Sequence, residues 1–326
     1  MTIRTPICDL LKIDHPILLA GMGGVSYAEV CAAVSEAGGY GTLGMAGRTP
    51  EDIRAEMRKV RTLTDKPFGV DLLAAIPESL DASVDIIIEE GASSFISGLG
   101  VPLSIIDRLH DAGLLVINMC GKVDHARKAE QAGCDIVVAQ GTEAGGHTGR
   151  VAGMALIPQV VDAVSIPVLA AGGIVDGRGL AASLAFGAAG VWVGTRFIAS
   201  TEAHAVDAYK DSIVAARETD TTVTRCYSGK TMRVITNPYV RDWESRPDDI
   251  QPFPAQVAVS TRQGVLGGIS GVLTPLDPAR DCMPAGQGIG AIHQVLPCAE
   301  IVANMMREAE TVIGRVGGLV AQSVSA

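Results

Sequence analysis

Aromatic residues are scarce in this chain. Phenylalanine, tryptophan and tyrosine make up only 4% of its 326 residues, so a flat ligand would find few rings to stack on. No Cys-x-x-Cys pair occurs among the seven scattered cysteines (Cys8, Cys31, Cys120, Cys134, Cys226, Cys282 and Cys298). A disulfide framework is therefore not expected, and thiols used as small apolar residues suit a reducing cytosol. His15, His110, His125, His204 and His293 have no ligand-like spacing with cysteines or carboxylates, which argues against a metal site. No apolar run reaches the roughly 18 residues of a membrane span. The stretch Met1–Leu10 holds no long apolar core or small-residue cleavage site, so no signal peptide is expected. Positive charge is also short: 26 Lys and Arg against 36 Asp and Glu leave a formal charge of −10. That balance argues against nucleic acid and anionic membrane as main partners. The expected setting is the cytoplasm, with a small molecule as ligand and a homo-oligomer left open.

Apolar and small residues are abundant: 48% of the chain is hydrophobic and 38 residues are glycine. Such a chain buries a large core, as one big domain or one plus a small one. Amphipathic helices repeatedly end in Ala-Gly or a similar pair and give way to a short apolar strand. The stops are Ala37-Gly38-Gly39, Glu90-Gly91-Ala92, Ala112-Gly113, Ala132-Gly133 and Phe186-Gly187, where glycine satisfies a left-handed cap. Eight strands are expected: His15–Ala20, Gly39–Leu43, Phe68–Leu72, Ser93–Ser97, Leu114–Asn118, Asp135–Ala139, Ile166–Ala171 and Gly190–Val193. They are apolar on both faces and spaced by one helix each, the mark of parallel strands covered by helices. The fold class is α/β, a (β/α)8 TIM barrel. A doubly wound open sheet is the alternative, but Gly21-Met22-Gly23-Gly24-Val25-Ser26 lacks the third glycine of its fingerprint.

From about residue 201 the module breaks. The expected division is a barrel over 1–200 and a smaller, mainly helical part over 201–326, laid on the barrel mouth or its side. Glu202–Arg217 and Gly288–Ile313 have helical periodicity. Thr224 to Pro284 is rich in proline, arginine and aspartate and is expected to be irregular.

In a barrel the chemistry sits at the carboxyl ends of the strands. After the first strand comes Ala20-Gly21-Met22-Gly23-Gly24. After the sixth comes Gln140-Gly141-Thr142-Glu143-Ala144-Gly145-Gly146-His147-Thr148-Gly149, which presents one histidine from a glycine-dense loop. Imidazole changes charge near neutral pH, so His147 is the candidate catalytic group. Ala171-Gly172-Gly173-Ile174 follows the seventh strand, and Trp192-Val193-Gly194-Thr195-Arg196 closes the eighth. Glycines there let backbone N–H groups converge on a phosphate beside the positive end of a short helix. Plain turn chemistry would also use glycine, but the two neighbouring loops together favour phosphate. Ser228-Gly229-Lys230-Thr231 lacks the first glycine of a phosphate-binding loop. Gly286-Gln287-Gly288-Ile289-Gly290 follows no strand. Lys122, beyond the fifth strand, has a place from which a cation would stabilise an anionic ring. It equally suits the surface of the next helix.

These motifs resemble the nitronate monooxygenase family, formerly 2-nitropropane dioxygenases, over nearly the whole chain. They are similar in the same places to the flavin-dependent enoyl-acyl-carrier-protein reductases. The resemblance is strongest in Gln140–Gly149, Ala170–Gly179 and Gly194-Thr195-Arg196-Phe197. It implies bound FMN, with flavin contacts at Gln140, Gly145, Gly146 and the backbone around Met22. Phosphate contacts fall on Gly172, Gly173, Gly194 and Thr195, and Trp192 and Val193 line the cofactor. Asp71 stands where the family usually has asparagine. An ionised acid there would accept but not donate a hydrogen bond. A lysine that one subgroup carries is replaced by Met119, which argues against that subgroup's chemistry. His147 falls on the family's active-site histidine.

The leading expectation is oxidation of an alkyl nitronate by O2 through FMN, giving a carbonyl compound and nitrite. His147 would take a proton from a neutral nitroalkane or hold the anionic nitronate. A second reading is an NAD(P)H-dependent reductase acting on an enoyl thioester or a quinone. Met283-Pro284-Ala285-Gly286-Gln287 resembles a segment of both groups and does not decide. A third is a flavin- or phosphate-binding module without turnover.

Overall fold

The alternating pattern survives in the computed structural model, which describes residues 3–73, 80–273 and 275–323. The chain opens with α1 (Pro6–Leu11), β1 (Ile17–Leu19), α2 (Ala28–Glu36), β2 (Gly41–Gly44) and α3 (Pro50–Leu63). It continues through β3 (Phe68–Leu72), α4 (Leu80–Glu89), β4 (Ser94–Ser97), α5 (Ile106–Asp111), β5 (Leu115–Cys120) and α6 (Val123–Gln131). Then come β6 (Ile136–Gln140), the two-residue β7 (Gly146–His147), α7 (Gly153–Val161), β8 (Val168–Ala171) and α8 (Gly177–Ala185). The run closes with β9 (Gly190–Val193) and α9 (Thr195–Ile198).

All strands but β7 join one parallel sheet in the order β1-β9-β8-β6-β5-β4-β3-β2. A parallel bridge between Leu18 and Tyr40 ties its two ends. Around it Tyr40 N donates to Ile17 O at 3.0 Å and Leu19 N to Tyr40 O at 2.9 Å. The sheet is therefore a closed barrel, and the open-sheet alternative falls. Every expected strand is present, with ends shifted by at most about two residues in either direction.

Alternation along each strand sorts the core into two layers. Leu18, Ile96, Ile117, Val138, Leu169 and Trp192 fill the barrel interior, while Ile17, Leu19, Phe95, Val191 and Val193 face the helices. Ile7 and Leu11 of α1 join the inner cluster. Each fully buried aliphatic of this kind contributes about 1.5–3 kcal/mol of transfer free energy.

After α9 come α10 (Asp207–Ala215), β10 (Thr221–Thr224), β11 (Met232–Ile235), α11 (Pro238–Glu244), α12 (Ala255–Gln263) and α13 (Cys298–Ser323). β10 and β11 form an antiparallel hairpin, and β7 pairs antiparallel with β11 as the third strand. The stretch expected to be irregular thus holds a strand and two helices around its own apolar cluster, with Tyr227, Met232, Val234 and Trp243 at its centre. Four-residue strands are too short to show a period of two in sequence.

The C-terminal end departs from a division at residue 200. α13 packs against α8 and α2, the place of the barrel's last helix. Gly177 lets it come close, since a Cβ there would lie 2.3 Å from Met305 O. The amide of Gly177 donates to Glu308 Oε2 at 2.9 Å. The helix expected from Gly288 starts at Cys298. A single short 3-10 turn, Gln287–Ala291, precedes it. Among the described residues no helix is long and apolar enough to cross a membrane. No group of histidine, cysteine or carboxylate side chains there is arranged to hold a metal.

Candidate active site

The carboxyl ends of the barrel strands surround a cavity of about 560 Å³, within the range of pockets for drug-sized ligands. Met22, Asp71, Gln140, Gly145, Gly146, His147, Gly172, Gly173, Trp192, Gly194 and Thr195 all line it. Val193 does not. One step along β9 from Trp192, it points outward and is buried among the helices, as strand alternation requires.

The β8 and β9 ends supply backbone rather than side chains. Gly172 and Gly173 sit at φ +105° and +70°, conformations that an L side chain rarely adopts. The amides of Gly173, Gly194 and Thr195 have no acceptor among the described residues. Unpaired N–H groups lining one cavity are a candidate anion site. The neighbouring helix α8 contributes nothing to it, because Asp176 accepts from the Arg178 and Gly179 amides at its N-terminus. Thr195 Oγ1 accepts from Gly286 N at 2.9 Å, which ties the 283–287 segment over the cradle. Glycine is required along that segment for contact: a Cβ on Gly288 would lie 2.8 Å from Gly173 O, and one on Gly145 would lie 2.8 Å from Ala285. Those glycines serve packing and not a dinucleotide turn. Arg196, beside them, donates to Gln294 O at 2.7 Å and is a structural tie.

His147 is set by residues far away in sequence. Its strand β7 pairs Gly146 with Arg233 and His147 with Met232. Gln140 Nε2 donates to His147 O at 3.2 Å. His147 Nε2 lies 2.9 Å from Ser228 Oγ, and Ser228 Oγ is 3.1 Å from Lys230 O. Burial, helped by the charge of Lys230, pushes the imidazole down to about 4, so it is neutral at physiological pH. Sequence reasoning missed Ser228 as a partner, because it is 81 positions from His147 and no spacing links them. Tyr227 and Met232 of the same hairpin also line the cavity.

Arg233, on β11 beside His147, is buried and committed. Its Nε donates to Thr142 O at 2.9 Å and its Nη1 to Thr221 Oγ1 at 3.1 Å. Arg246 pairs with Asp242 at 2.7 Å, and Arg225 reaches Pro247 O at 3.5 Å. Lys122 is exposed, 4.0 Å from Asp124, and does not line the cavity. Met119 does.

A phosphorylated planar cofactor fits this mouth. Free amides lie at one side, and Asp71 with Gln140 Oε1 offers polar groups elsewhere on the wall. Apolar surface from Met22, Met119 and Trp192 lies between. Few rings are available for stacking, so sulfur and aliphatic contacts would take their place.

A family model described as nitronate monooxygenase matches residues 4–308. A curated relative from Mycobacterium tuberculosis, (3aS,4S,5R,7aS)-5-hydroxy-7a-methyl-1-oxo-octahydro-1H-indene-4-carboxyl-CoA dehydrogenase, is 42% identical over 248 residues, 75% of this chain and 70% of the relative. A probable nitronate monooxygenase of Staphylococcus aureus is 35% identical over 298 residues, 78% of this chain and 84% of that one. The solved structure of FabK from Thermotoga maritima superposes with a TM-score of 0.88 at 37% identity, over 98% of this chain and 100% of the other. Shared fold alone would leave function open, but the identities and the matched length do more. The chain is an oxidoreductase and belongs to the nitronate monooxygenase family.

Proposed function

We propose that the protein is an FMN-dependent oxidoreductase that oxidises alkyl nitronates with O2, giving a carbonyl compound and nitrite. The observation that carries this reading is a half-buried His147 lining the same cavity as the unpaired amides of Gly173, Gly194 and Thr195, its imidazole held below the usual range by its surroundings. FMN, when bound, supplies the electron relay between nitronate and oxygen, chemistry that side chains lack. The chain's own contribution is binding, orientation and one proton. The amides would take the phosphate. With Ser228 Oγ donating to Lys230 O, the tautomer that fits has His147 Nε2–H donating to Ser228 Oγ, which leaves Nδ1 its lone pair. In that tautomer Nδ1 is the base for the α-proton of a neutral nitroalkane, and the hydrogen bond at Nε2 fixes the ring. A small substrate and O2 are the expected partners, in the cytosol.

A specific observation favours a second reading. The cavity extends past His147 along Tyr209, Phe253, Val257, Leu266 and Ile269 of the inserted part, more apolar wall than a short nitronate needs. A relative named as a carboxyl-CoA dehydrogenase at 42% identity points the same way, toward a bulky thioester with NAD(P)H or its oxidised form as redox partner. Anaerobic mixing of the FMN-loaded protein separates the two. Bleaching of the flavin by an alkyl nitronate but not by NADH or NADPH supports the monooxygenase. Rapid bleaching by nicotinamide alone overturns it in favour of the second reading.

A further inference from the structure

Asp71 is a carboxyl without a partner. It is the penultimate residue of β3, is 9% exposed and lines the cavity, yet neither carboxyl oxygen has a hydrogen bond among the described residues. Two glycines make room for it: a Cβ on Gly21 would lie 2.2 Å from its Oδ2, and one on Gly98 would lie 3.1 Å from its Oδ1. The backbone is held on both sides, by pairing of Asp71 with Gly44 and Ile96 and by Met45 N donating to Asp71 O at 3.0 Å. In the barrel order β3 lies four strands from β8 in either direction. The carboxyl thus faces the mouth from the side opposite the Gly172–Gly173 cradle.

We propose that Asp71 works as a neutral carboxylic acid, pairing with a donor-beside-acceptor edge, an imide or cyclic amide, on the planar cofactor whose phosphate the opposite loops hold. The proposal rests on the flavin reading above but not on the nitronate. A protonated carboxyl presents one O–H donor and one carbonyl acceptor side by side, the same pair that a side-chain amide presents. A carboxylate presents acceptors only, and would repel the carbonyl of such an edge. Among the described residues nothing nearby favours the ionised form. β2 (Gly-Thr-Leu-Gly) and β4 (Ser-Phe-Ile-Ser) carry no titratable side chain, and neither do the turns at Ala20–Gly24 and Gly98–Leu99. The cation of the following turn, Arg48, is committed to Ser270 O and lies 5.6 Å from the ring centre of Tyr27. Burial alone, with no charged neighbour opposing it, raises the Asp71 carboxyl well above the usual carboxylate range.

The test compares wild-type, Asp71→Asn and Asp71→Ala proteins loaded with FMN. Infrared difference spectra of the wild-type holoprotein should show a protonated-carboxyl band that shifts in D2O and is absent from Asp71→Asn. Flavin fluorescence titration should give Asp71→Asn an affinity within about threefold of wild type, and Asp71→Ala about tenfold weaker binding, the loss of one to two hydrogen bonds. As pH rises into the alkaline range, wild-type affinity should fall relative to Asp71→Asn, the FMN phosphate titrating equally in both. A wild-type protein that holds FMN with no protonated-carboxyl band, or with the pH dependence of Asp71→Asn, overturns the inference and leaves the flavin reading standing. A wild-type protein that takes up no FMN overturns that reading itself, and the inference with it.

Discussion

Two regions meet at the barrel mouth, and they are built in different ways. The strand ends of the barrel give Asp71, Gly172, Gly173 and Gly194, each placed by local backbone at the end of a regular element. The inserted hairpin gives the setting of His147, whose β7 exists only because β11 pairs with it. On the proposed function, the first region binds the cofactor and the second positions a proton acceptor. A change in the strand-end loops should therefore cost cofactor, and a change in the hairpin should cost turnover with the cofactor still in place.

The largest expected effect is on the hairpin side. His147→Ala should retain FMN and lose about 10²–10⁴-fold in kcat/KM on a neutral nitroalkane, the usual worth of a positioned base. Its loss on preformed nitronate should be much smaller. Equal losses on both substrates would turn His147 from a base into an anchor. Next is the cradle. Gly173→Ala puts a side chain at φ +70°, a strain of about 1–2 kcal/mol. FMN affinity, read by fluorescence quenching, should drop roughly ten- to thirtyfold. Unchanged affinity would mean the phosphate lies elsewhere.

Smaller effects sharpen the comparison. Ser228→Ala removes the partner 2.9 Å from His147 Nε2 and should lower kcat about five- to tenfold, the worth of one hydrogen bond, with FMN affinity unmoved. A matching loss of cofactor would blur the division between the regions. The smallest effect is on stability. His147 is neutral in the folded chain, pushed down to about 4 from 6.5. Between those values the unfolded chain binds a proton that the folded chain refuses, so stability declines as pH falls through that window. In His147→Gln, thermal melts of the cofactor-free protein should show a shallower decline across the same range.

The contrast also explains what the sequence disclosed. Eight apolar segments separated by glycine-stopped helices made the barrel legible, because strand burial and left-handed caps are local signals. The Gly-Gly after β8 and the Gly-Thr after β9 were legible for the same reason. Val193 was misplaced by adjacency to Trp192, although strand alternation separates them. The tie of His147 to Ser228 and Lys230 was not legible, since it depends on a hairpin of four-residue strands. Nor was the return of α13 to the barrel: residues 194–297 part it from β9, and only packing against α8 and α2 reveals its place. Asp71 was visible as an acid where an amide is usual, but its neutral state follows from burial, which a sequence does not display.

The central claim is that one phosphorylated flavin occupies this mouth beside His147. Titration of the purified, cofactor-stripped protein with FMN tests it most directly. Flavin fluorescence should quench to saturation at one equivalent per chain, and riboflavin, lacking the phosphate, should bind far more weakly. Absence of quenching, or equal binding of riboflavin and FMN, would contradict the account.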